Sequence, residues 1–391
     1  MARIKNGSDH SQVQDDLGEF PVYGSGGEFA RASRPLYSGP SVLLGRKGTI
    51  DRPLLVDGAF WTVDTMFCAQ PYATVNPTFL YYACTTIPFD LLSTSTALPS
   101  MTQGDLNAVR LPAPETETQR LIAEFLDRET AKIDALIEKQ EQLIATLRED
   151  RAATITQAVT KGLNQSVKLQ YTGIAVMDAI PSHWSLRKLK HLAGSFEQGV
   201  SPQASAELAT EGWGVLKSGC VNGGVFRDIE HKKLPQDFEF DGRLAVAVGD
   251  LLVCRASGSP NLVGSAAIVQ KLGYQLILSD KIFRLTPNRR SSLDYLEWAL
   301  NARPYREQVL GAISGAEGLA NNLPLSSLRN FWFAVPPIAE QQEIARFLGE
   351  RCTKIDTLIA KSTEMIETLR EYRSALITNA VTGKIDVREA V

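Results

Sequence analysis

Two adjacent cations, Arg46 and Lys47, lie between Gly45 and Gly48 and follow the apolar run of residues 41–44. A guanidinium and an ammonium group on a tight turn, with little side-chain bulk beside them, can enter a nucleic-acid groove. A solvated surface turn is the alternative interpretation of the same pattern. The residue types therefore make this turn a candidate nucleic-acid contact.

A second glycine-rich stretch, Gly24-Ser25-Gly26-Gly27, could present backbone N–H groups to a phosphate. It lacks the Gly-x-x-x-x-Gly-Lys-Ser/Thr spacing of a P-loop, and no helical pattern follows it. We therefore interpret this stretch mainly as a tight turn.

The residue combinations that enzymes need do not occur in this sequence. The four histidines, which show neither metal-ligand spacing nor a neighbouring nucleophile motif, are His10, His183, His191 and His231. Residues 76–79 read Asn-Pro-Thr-Phe, which approximates the Asn-Pro-Pro-Phe loop of amino-methyltransferases but lacks its second proline. We predict a binding protein with no catalytic, cofactor-binding or metal-binding residues of its own.

Cysteine usage and hydropathy indicate the compartment. The five cysteines include no Cys-x-x-Cys pair, which predicts small buried hydrophobic side chains in a reducing compartment. No apolar run approaches the ~18 residues of a membrane span, and the amino terminus shows no signal pattern. We expect a cytoplasmic protein without membrane contact.

Composition and charge are those of an ordinary globular protein. The 391 residues are 44% hydrophobic and 22% charged, with a formal net charge of −3. This length predicts roughly two to three domains. The net charge does not favour nucleic acid, but residues 168–335 carry 18 basic and 15 acidic side chains. Any nucleic-acid contact would therefore come from local clusters.

The elements that must position these turns are two copies of one long helical pattern. Residues 125–160 recur without a gap as residues 347–382, an offset of 222 that marks an internal duplication. Each copy follows a proline turn and is almost free of Gly and Pro until Gly162 or Gly383. The pattern predicts two helices of about 45 residues, each roughly 65–70 Å long.

Apolar residues at spacings of 3, 4 and 7 form one stripe along each helix. A helix of this length has too little globular sequence around it to cover the stripe, so we expect the two copies to pack together as a coiled coil. Gln140 and Ser362 interrupt the stripe at equivalent positions, where they could set the register or lie at a solvated edge. The predicted helix–helix seam consists of Ile133, Leu136, Ile137, Leu143, Ile144, Leu147, Ile355, Leu358, Ile359, Met365, Ile366 and Leu369.

The sequence outside the helices has a different character. Short β-branched runs separated by Gly and Pro predict strands joined by tight turns, while residues 77–82 and 104–109 look helical. The predicted fold class is α+β, with two small strand-rich α/β domains joined by two long antiparallel helices and an internal pseudo-twofold repeat. The predicted boundaries are 1–111 for the first domain, 112–167 for the central helix and connector, 168–335 for the second domain and 336–391 for the C-terminal helix.

The second domain repeats the hydrophobic and turn pattern of the first domain but not its residue identities. Residues 249–255 parallel residues 40–46 at an offset of 209, and residues 278–283 parallel residues 62–67 at an offset of 216. Because the offset reaches 222 at the helices, two insertions separate the copies. One scaffold is therefore expected to carry two different surfaces.

Together these motifs resemble the specificity (S) subunit of type I restriction–modification systems. Residues 20–27, 44–51 and 60–65 look like one recurrent type of target recognition domain. Residues 337–347 look like the opening of the family's conserved helix. The resemblance extends over essentially the whole chain, because the motifs occur together with the 222-residue duplication.

This resemblance implies that each target recognition domain binds one half of a bipartite, asymmetric site in double-stranded DNA. The paired helices would set the spacing of the half-sites and dock two methyltransferase (M) subunits that methylate adenine at N6. Motor-nuclease (R) subunits would complete the complex. The chain would be non-catalytic and bind no cofactor, since S-adenosylmethionine, ATP and Mg²⁺ are expected on partner subunits.

Candidate DNA-contacting residues follow from residue type and position in the two domains. Arg46 or Arg255, each on a Gly-rich turn after an apolar run, is expected to read guanine or bind phosphate. The full candidate set is Lys5, Asn6, Tyr23, Ser25, Arg46, Lys47 and Thr49 in the first domain and Gln198, Ser201, Lys217, Arg255, Ser257 and Ser259 in the second.

The two domains differ at their beginnings. The second domain opens with residues 181–192, the leader segment, which contains Trp184 and the pattern Leu189-x-x-Leu192. Residues 2–7 match only the sequence that follows that segment. We expect that the start codon lies upstream or that the gene is truncated, and that the first domain is the less stable one.

Three other interpretations are open. The chain could be the specificity subunit of a related methyltransferase–nuclease that lacks a separate motor. It could be a coiled-coil scaffold that joins two protein-binding domains, in which case it would show no salt-dependent DNA affinity. A stand-alone methyltransferase is the enzymatic alternative, and it would have to bind S-adenosylmethionine alone.

Overall fold

The computed structural model describes residues 1–92, 99–313 and 321–389. The chain divides into two compact units, and each contains one globular domain with part of both long helices. Unit 1 comprises Met1–Leu143 and Lys361–Val391, and unit 2 comprises Ile144–Ala360.

The globular part of unit 1 is rich in short strands. Its strands are β1 (Ala2–Asn6), β2 (Phe20–Gly24), β3 (Gly27–Ala32), β4 (Tyr37–Ser38), β5 (Ser41–Gly45), β6 (Leu54–Val56), β7 (Ala59–Thr62) and β8 (Met66–Pro71). Its helices are α1 (Pro77–Thr85), α2 (Phe89–Leu92) and α3 (Gln103–Ala108). Helices thus form where the sequence predicted them, at residues 77–82 and 104–109.

The globular part of unit 1 contains two sheets, and strand β5 of the first sheet packs against α1 on one face and against the second sheet on the other. The first sheet has the order β1-β8-β5-β6 with antiparallel pairs, and the second has the order β3-β2-β7-β4, in which β2 and β7 are parallel. Alternate residues of a strand point to opposite faces. Val42 and Leu44 therefore pack with Leu80 of α1, whereas Leu43 packs with Phe60 of the second sheet.

The first long helix, α4, spans Thr116–Lys161. The strands that follow are β9 (Leu169–Tyr171), β10 (Ala179–Pro181), β11 (Ser185–Lys188), β12 (Ala193–Gln198), β13 (Trp213–Leu216), β14 (His231–Lys233), β15 (Leu251–Cys254), β16 (Ala256–Ser257), β17 (Ala266–Ile268), β18 (Gln275–Ile277), β19 (Ile282–Pro287), β20 (Asn321–Asn322) and β21 (Trp332–Val335). The remaining helices are α5 (Leu293–Ala299), α6 (Arg303–Ala312), α7 (Leu325–Asn330) and α8 (Ile338–Val381).

Unit 2 repeats the sheet topology of unit 1. Its larger sheet has the order β12-β19-β15-β17, which matches β1-β8-β5-β6, and the parallel pair β13–β18 matches β2–β7. Strand β15 distributes its side chains as β5 does, with Val253 in one buried cluster and Leu252 in another. The predicted parallel between the two domains is therefore confirmed at the level of strand order.

The long helices have the predicted lengths, 46 residues for α4 and 44 for α8. Gly162 and Gly383 follow their last turns with φ angles of +75° and +74°. Glycine adopts this left-handed conformation without the Cβ clash that other residues suffer, which ends a helix sharply. The glycine that the sequence places after each long helix thus ends that helix in the structure.

The helix–helix seam is narrower than the sequence predicted. The buried members of the predicted set are Ile133, Ile144, Ile355 and Ile366, and the half-buried members are Ile137, Leu147, Ile359 and Leu369. The seam follows alternating spacings of four and three residues and passes through Gln140 and through Ser362, which is buried. Both polar residues thus lie on the seam rather than at a solvated edge.

The prediction is wrong for four members of the set, which are 44–50% exposed. These side chains are Leu136, Leu143, Leu358 and Met365. Each lies one position before a residue of the seam, about 100° around the helix from it at 3.6 residues per turn. Each long helix therefore carries a pair of exposed apolar residues seven positions apart, and α8 exposes Ile338, Phe347 and Tyr372 as well.

Ion pairs flank the seam within each unit. In unit 1, Arg373 contacts Asp134 at 2.8 Å and Arg370 contacts Glu141 at 3.2 Å. Residue numbers rise along α4 as they fall along α8, so the helix segments of unit 1 are antiparallel. In unit 2, the pairs are Arg351–Asp150 at 3.0 Å and Arg151–Asp356 at 2.9 Å. Because these charged groups are largely exposed, the ion pairs contribute little to the stability of the fold and mainly favour one register between the two helices.

A buried glutamine joins the globular part of unit 2 to its long helix. Gln341, in the first turn of α8, is 1% exposed. Its Oε1 accepts a hydrogen bond from the Ser292 N–H at 2.8 Å, and its Nε2 donates to the carbonyls of Arg290 at 3.0 Å and Pro336 at 2.9 Å. Ser292 is the N-cap of α5, so one side chain fixes the starts of two helices.

The same arrangement occurs in unit 1, 222 residues earlier. Gln119 is 3% exposed, accepts from the Asn76 N–H at 2.9 Å and donates to the Pro114 carbonyl at 2.7 Å. Asn76 caps α1 by accepting from the Phe79 N–H. The Asn-Pro-Thr-Phe sequence therefore has a structural role as a helix start.

The cysteines are all buried, as predicted. Burial raises the pKa of the Cys84 thiol to about 12 and that of Cys254 to about 11, so both are protonated at neutral pH. Within the described ranges, no group of His, Cys, Asp or Glu could hold a metal ion. None of the described helices combines the length and hydrophobicity needed to cross a lipid bilayer.

The buried glutamine generates a stability prediction. Gln341→Ala should lower the free energy of unfolding by about 2–4 kcal/mol, because it removes three hydrogen bonds and leaves buried backbone groups unpaired. Urea unfolding followed by circular dichroism measures the change. Gln342→Ala, at the exposed neighbouring position, is the matched control and should change stability by less than about 0.5 kcal/mol. Equal effects of the two substitutions would contradict the anchoring role.

Candidate nucleic-acid interface

The candidate residues of unit 1 lie around the turn that joins β7 to β8, residues 62–66, which we name the β7–β8 turn. The Gly7 N–H donates to the Met66 carbonyl at 2.9 Å, and the Arg46 N–H donates to the Thr65 carbonyl at 2.8 Å. The ends of β1 and β5 therefore meet at this turn. A Cβ atom on Gly7 would lie 1.9 Å from the Val63 carbonyl oxygen, so only glycine allows this approach.

The cationic side chains of unit 1 differ in how many contacts they make with neighbouring residues. The Arg46 guanidinium lies 5.8 Å from the Phe67 ring centroid, and its Nη1 is 3.4 Å from the Asp64 carbonyl oxygen. Lys5 Nζ lies 5.1 Å from the ring centroid of Tyr37. Lys47 is exposed, as is Thr49, so these two side chains project from the same loop as the braced Arg46.

The remaining candidates of unit 1 lie beside the β7–β8 turn. The Asn6 carbonyl accepts a hydrogen bond from the Tyr37 hydroxyl at 2.7 Å. Tyr23 pairs with Thr62 between the parallel strands β2 and β7, and burial raises the pKa of its hydroxyl, which therefore stays a donor at neutral pH. Ser25 lies in the turn between β2 and β3, so the Gly-Ser-Gly-Gly stretch is a hairpin turn.

The equivalent turn of unit 2, between β18 and β19, gathers the second set. Arg255 Nη1 and Gln198 Nε2 each donate to the Asp280 carbonyl at 3.0 Å, and the Arg255 N–H donates to the Lys281 carbonyl at 2.7 Å. A Cβ on Gly199 would lie 1.9 Å from the Leu278 carbonyl oxygen, as at Gly7 in unit 1. We name residues 278–281 the β18–β19 turn.

Arg46 and Arg255 occupy the same place in the two units. Each guanidinium approaches the carbonyl of the aspartate in its turn, Asp64 or Asp280. This contact uses one of the five N–H donors of a guanidinium group. Each arginine therefore braces its turn through one donor, and its other N–H groups could contact a ligand.

A cavity of about 430 Å³ opens beside the β18–β19 turn. Ser201 and Lys217 line it together with two residues that sequence reasoning missed, Lys232 and Lys281, and with Asp280. Within the described part of the chain, none of the three lysines forms an ion pair. Three lysines and one aspartate in the lining give the cavity an excess of positive charge, which makes it a candidate contact for phosphate groups.

Two candidates of unit 2 lie apart from this cavity. Ser257 ends β16, which pairs with β20, and Ser259 follows on the next turn. The Asn321 side chain donates to the Gly258 carbonyl at 3.2 Å and so holds this segment. The structure brings Gln198, Ser201, Lys217 and Arg255 to one turn, while Ser257 and Ser259 belong to a separate edge.

The two scaffolds carry different charges at matching positions. In unit 1, Lys5 on β1 pairs with Cys68 on β8. In unit 2, the matching pair is Glu197 and Arg284, whose side chains meet at 2.7 Å, and Arg284 also contacts Asp250 at 3.0 Å. One topology thus presents two chemically distinct surfaces, as the sequence predicted.

Comparison with protein families identifies the first domain. Residues 2–146 match the family model described as the type I restriction modification DNA specificity domain. This match covers β1–β8, α1–α3 and the first part of α4. That part of the chain is therefore similar to the DNA specificity domain of type I restriction–modification systems.

Curated relatives extend the match along the chain. It is 28% identical over 205 residues to the type I restriction enzyme EcoEI specificity subunit of Escherichia coli, covering 52% of this chain and 34% of that protein. It is 22% identical over 300 residues to the EcoKI specificity subunit of Escherichia coli strain K12, covering 75% of this chain and 61% of that protein. The chain thus spans less than two thirds of either relative.

Solved structures share the fold. A chain from work on complex assembly and conformational transition of the type I R-M system superposes with a TM-score of 0.70 at 15% identity, covering 97% of both chains. The HsdS subunit from Thermoanaerobacter tengcongensis gives a TM-score of 0.50 at 16% identity, covering 98% of this chain and 92% of that one. The α+β fold class is confirmed, because the chain shares its fold with these solved subunits.

The lysine cavity generates a binding prediction. Lys217→Gln should weaken binding to double-stranded DNA and reduce the slope of log affinity against log salt concentration by about 1, because one phosphate contact is lost. Fluorescence anisotropy over a range of salt concentrations measures both quantities. Lys271→Gln removes the same charge from an exposed position that does not line the cavity. If the two variants showed the same slope, the cavity would not be a phosphate contact.

Proposed function

We propose that this chain is the DNA-specificity subunit of a type I restriction–modification complex. Each globular domain binds one half of a bipartite, asymmetric site in double-stranded DNA. The long helices set the spacing of the half-sites and dock two adenine-N6 methyltransferase subunits. Motor-nuclease subunits join the full complex.

The observation that carries this proposal is the duplicated scaffold with two different surfaces. Both units bring the ends of two strands to one turn and brace that turn with an arginine, Arg46 or Arg255. The side chains around the two turns differ in charge and type. Two dissimilar recognition surfaces in one chain fit an asymmetric site, whereas identical ones would fit a palindrome. Joining them makes the second contact effectively intramolecular, which raises the overall affinity.

The comparisons support the proposal at two levels. The first domain belongs to a DNA specificity family. The curated relatives are named specificity subunits of type I restriction enzymes. Assembly with partner subunits is part of the proposal. The proposal also assigns S-adenosylmethionine, ATP and Mg²⁺ to those partners.

The exposed apolar residues of the long helices support partner docking. Leu136 and Leu143 on α4 correspond, at the 222-residue offset, to Leu358 and Met365 on α8. Each pair is about two helical turns apart and therefore lies on one face of its helix. Large exposed apolar side chains at such spacing are typical of protein interfaces. Two equivalent faces fit two copies of the same partner.

Genome-wide mapping of N6-methyladenine tests the function directly. We expect one asymmetric motif, split by a fixed unread spacer, in a methylation-free host that expresses this chain with its neighbouring methyltransferase subunit. The motif should be absent when the chain is omitted. Since Lys217 lies in the cavity of unit 2, the complex with the Lys217→Gln variant should methylate the same motif less completely, while the complex with Lys271→Gln should methylate it as fully as the unmodified complex does.

A co-purified complex of the chain and the methyltransferase subunit that methylates no defined motif would contradict the proposal. If that complex also bound DNA without salt dependence, a coiled-coil scaffold for protein-binding domains would explain the chain better. Binding of S-adenosylmethionine by the isolated chain would instead favour a stand-alone methyltransferase.

The helix faces generate a stoichiometry prediction. The double variant Leu136→Asp with Leu143→Asp should lose one of two methyltransferase subunits, because two charged groups would be buried at one interface. The variant Leu358→Asp with Met365→Asp should lose one as well, and the quadruple variant should lose both. Native mass spectrometry counts the subunits.

Leu17→Asp is the control for a charge placed on an exposed leucine, since Leu17 is 94% exposed in the globular part of unit 1. It should keep two methyltransferase subunits. Retention of both subunits by the quadruple helix variant would show that the partner binds elsewhere.

A further inference from the structure

An apolar groove of about 520 Å³ lies on the globular part of unit 1. It is formed by strands of the first sheet, by α1 and α3, and by the extended segment of residues 109–113. We name it the acceptor groove. Its lining includes Leu44, Leu80, Leu106, Val109, Leu111 and Ala113.

In unit 2, the leader segment, residues 181–192, covers the equivalent place. Leu189 and Leu192 are buried, and they belong to one cluster with Leu328, Phe331 and Phe333. At the 222-residue offset, these three residues correspond to Leu106, Val109 and Leu111, which line the acceptor groove. The repeat therefore identifies what kind of segment fits the groove of unit 1.

The backbone of unit 2 shows how the leader segment is held. Strand β11 within it pairs antiparallel with β21, so that Arg187 lies opposite Phe333. The Leu189 N–H donates to the Phe331 carbonyl at 2.9 Å. Hydrogen-bonded pairs alternate with non-hydrogen-bonded pairs in an antiparallel ladder. The backbone N–H and C=O groups of residues 331, 333 and 335 therefore point toward the leader segment. Ala334 faces away, and its carbonyl accepts from the Tyr295 hydroxyl.

The corresponding backbone of unit 1 is open and compatible with the same ladder. Leu111 and Ala113 match positions 333 and 335, and neither has a backbone hydrogen bond to any described residue. Pro112, which has no N–H to donate, matches Ala334, the position that faces away from the ladder. Proline is tolerated there because the missing donor is not needed.

We infer that the acceptor groove binds an extended peptide segment with the pattern of residues 185–192, by adding a strand to residues 109–113. Two leucines three residues apart enter the groove, and the preceding residues pair with the open backbone. This mode combines main-chain hydrogen bonds with apolar pockets for side chains. The site is distinct from the β7–β8 turn, so the inference does not depend on the proposed function.

A synthetic peptide with the sequence of residues 181–192 tests the inference on the full chain. We expect saturable binding of one peptide per chain, measured by anisotropy of a fluorescent label. Hydrogen exchange should show protection of the Leu111 and Ala113 amides. A control peptide with Leu189→Asp and Leu192→Asp should bind roughly tenfold or more weakly, since the apolar contacts are lost.

Two variants of the chain keep the test specific to unit 1. Ala113→Pro removes a ladder N–H at an exposed position and should abolish peptide binding without unfolding the domain. Pro112→Ala, one residue earlier and facing away from the ladder, should bind as the unmodified chain does. Binding that survives Ala113→Pro, protection of residues 332–335 instead, or no saturable binding would overturn the inference.

Discussion

The placement of each globular domain depends on one buried side chain, the glutamine in the first turn of its long helix. Gln119 and Gln341 each join the helix to the N-cap of a short helix in the domain through hydrogen bonds to backbone groups. A buried amide whose donors and acceptor are all satisfied fixes orientation more strictly than apolar packing does, because hydrogen bonds are directional. Each domain is thereby tied to its own helix by the same device.

A second constraint acts at the β7–β8 turn and the β18–β19 turn. Gly7 and Gly199 let the end of a strand pass within contact distance of a carbonyl, where a Cβ would lie 1.9 Å away. This close approach gathers side chains from several strands at one turn. The scaffold can therefore keep its topology while the exposed residues change, as the contrast between Lys5 and Glu197 illustrates. Rigid backbone and variable side chains are what sequence-specific recognition requires.

Local patterns predicted the long helices well, since spacing, length and the terminal Gly162 and Gly383 are all encoded within each segment. The repeat also predicted one scaffold with two surfaces. The exposure of Leu136 was not predictable, because a stripe of apolar residues does not show which of its edges the partner helix covers. The lysines of the cavity were only partly found. Lys217 was proposed, whereas Lys232 of β14 and Lys281 of the β18–β19 turn are distant in sequence and are brought together only by folding.

The long helices and the globular domains differ in what their two copies have in common. The helices repeat residue types, including the exposed apolar positions Leu143 and Met365, whereas the domains repeat strand order but not surface chemistry. Equivalent surfaces can bind equivalent partners, and dissimilar surfaces must bind dissimilar ones, because affinity depends on the side chains that are presented. This difference between helices and domains supports the proposal that the helices bind two copies of one protein subunit and the domains bind two different DNA half-sites.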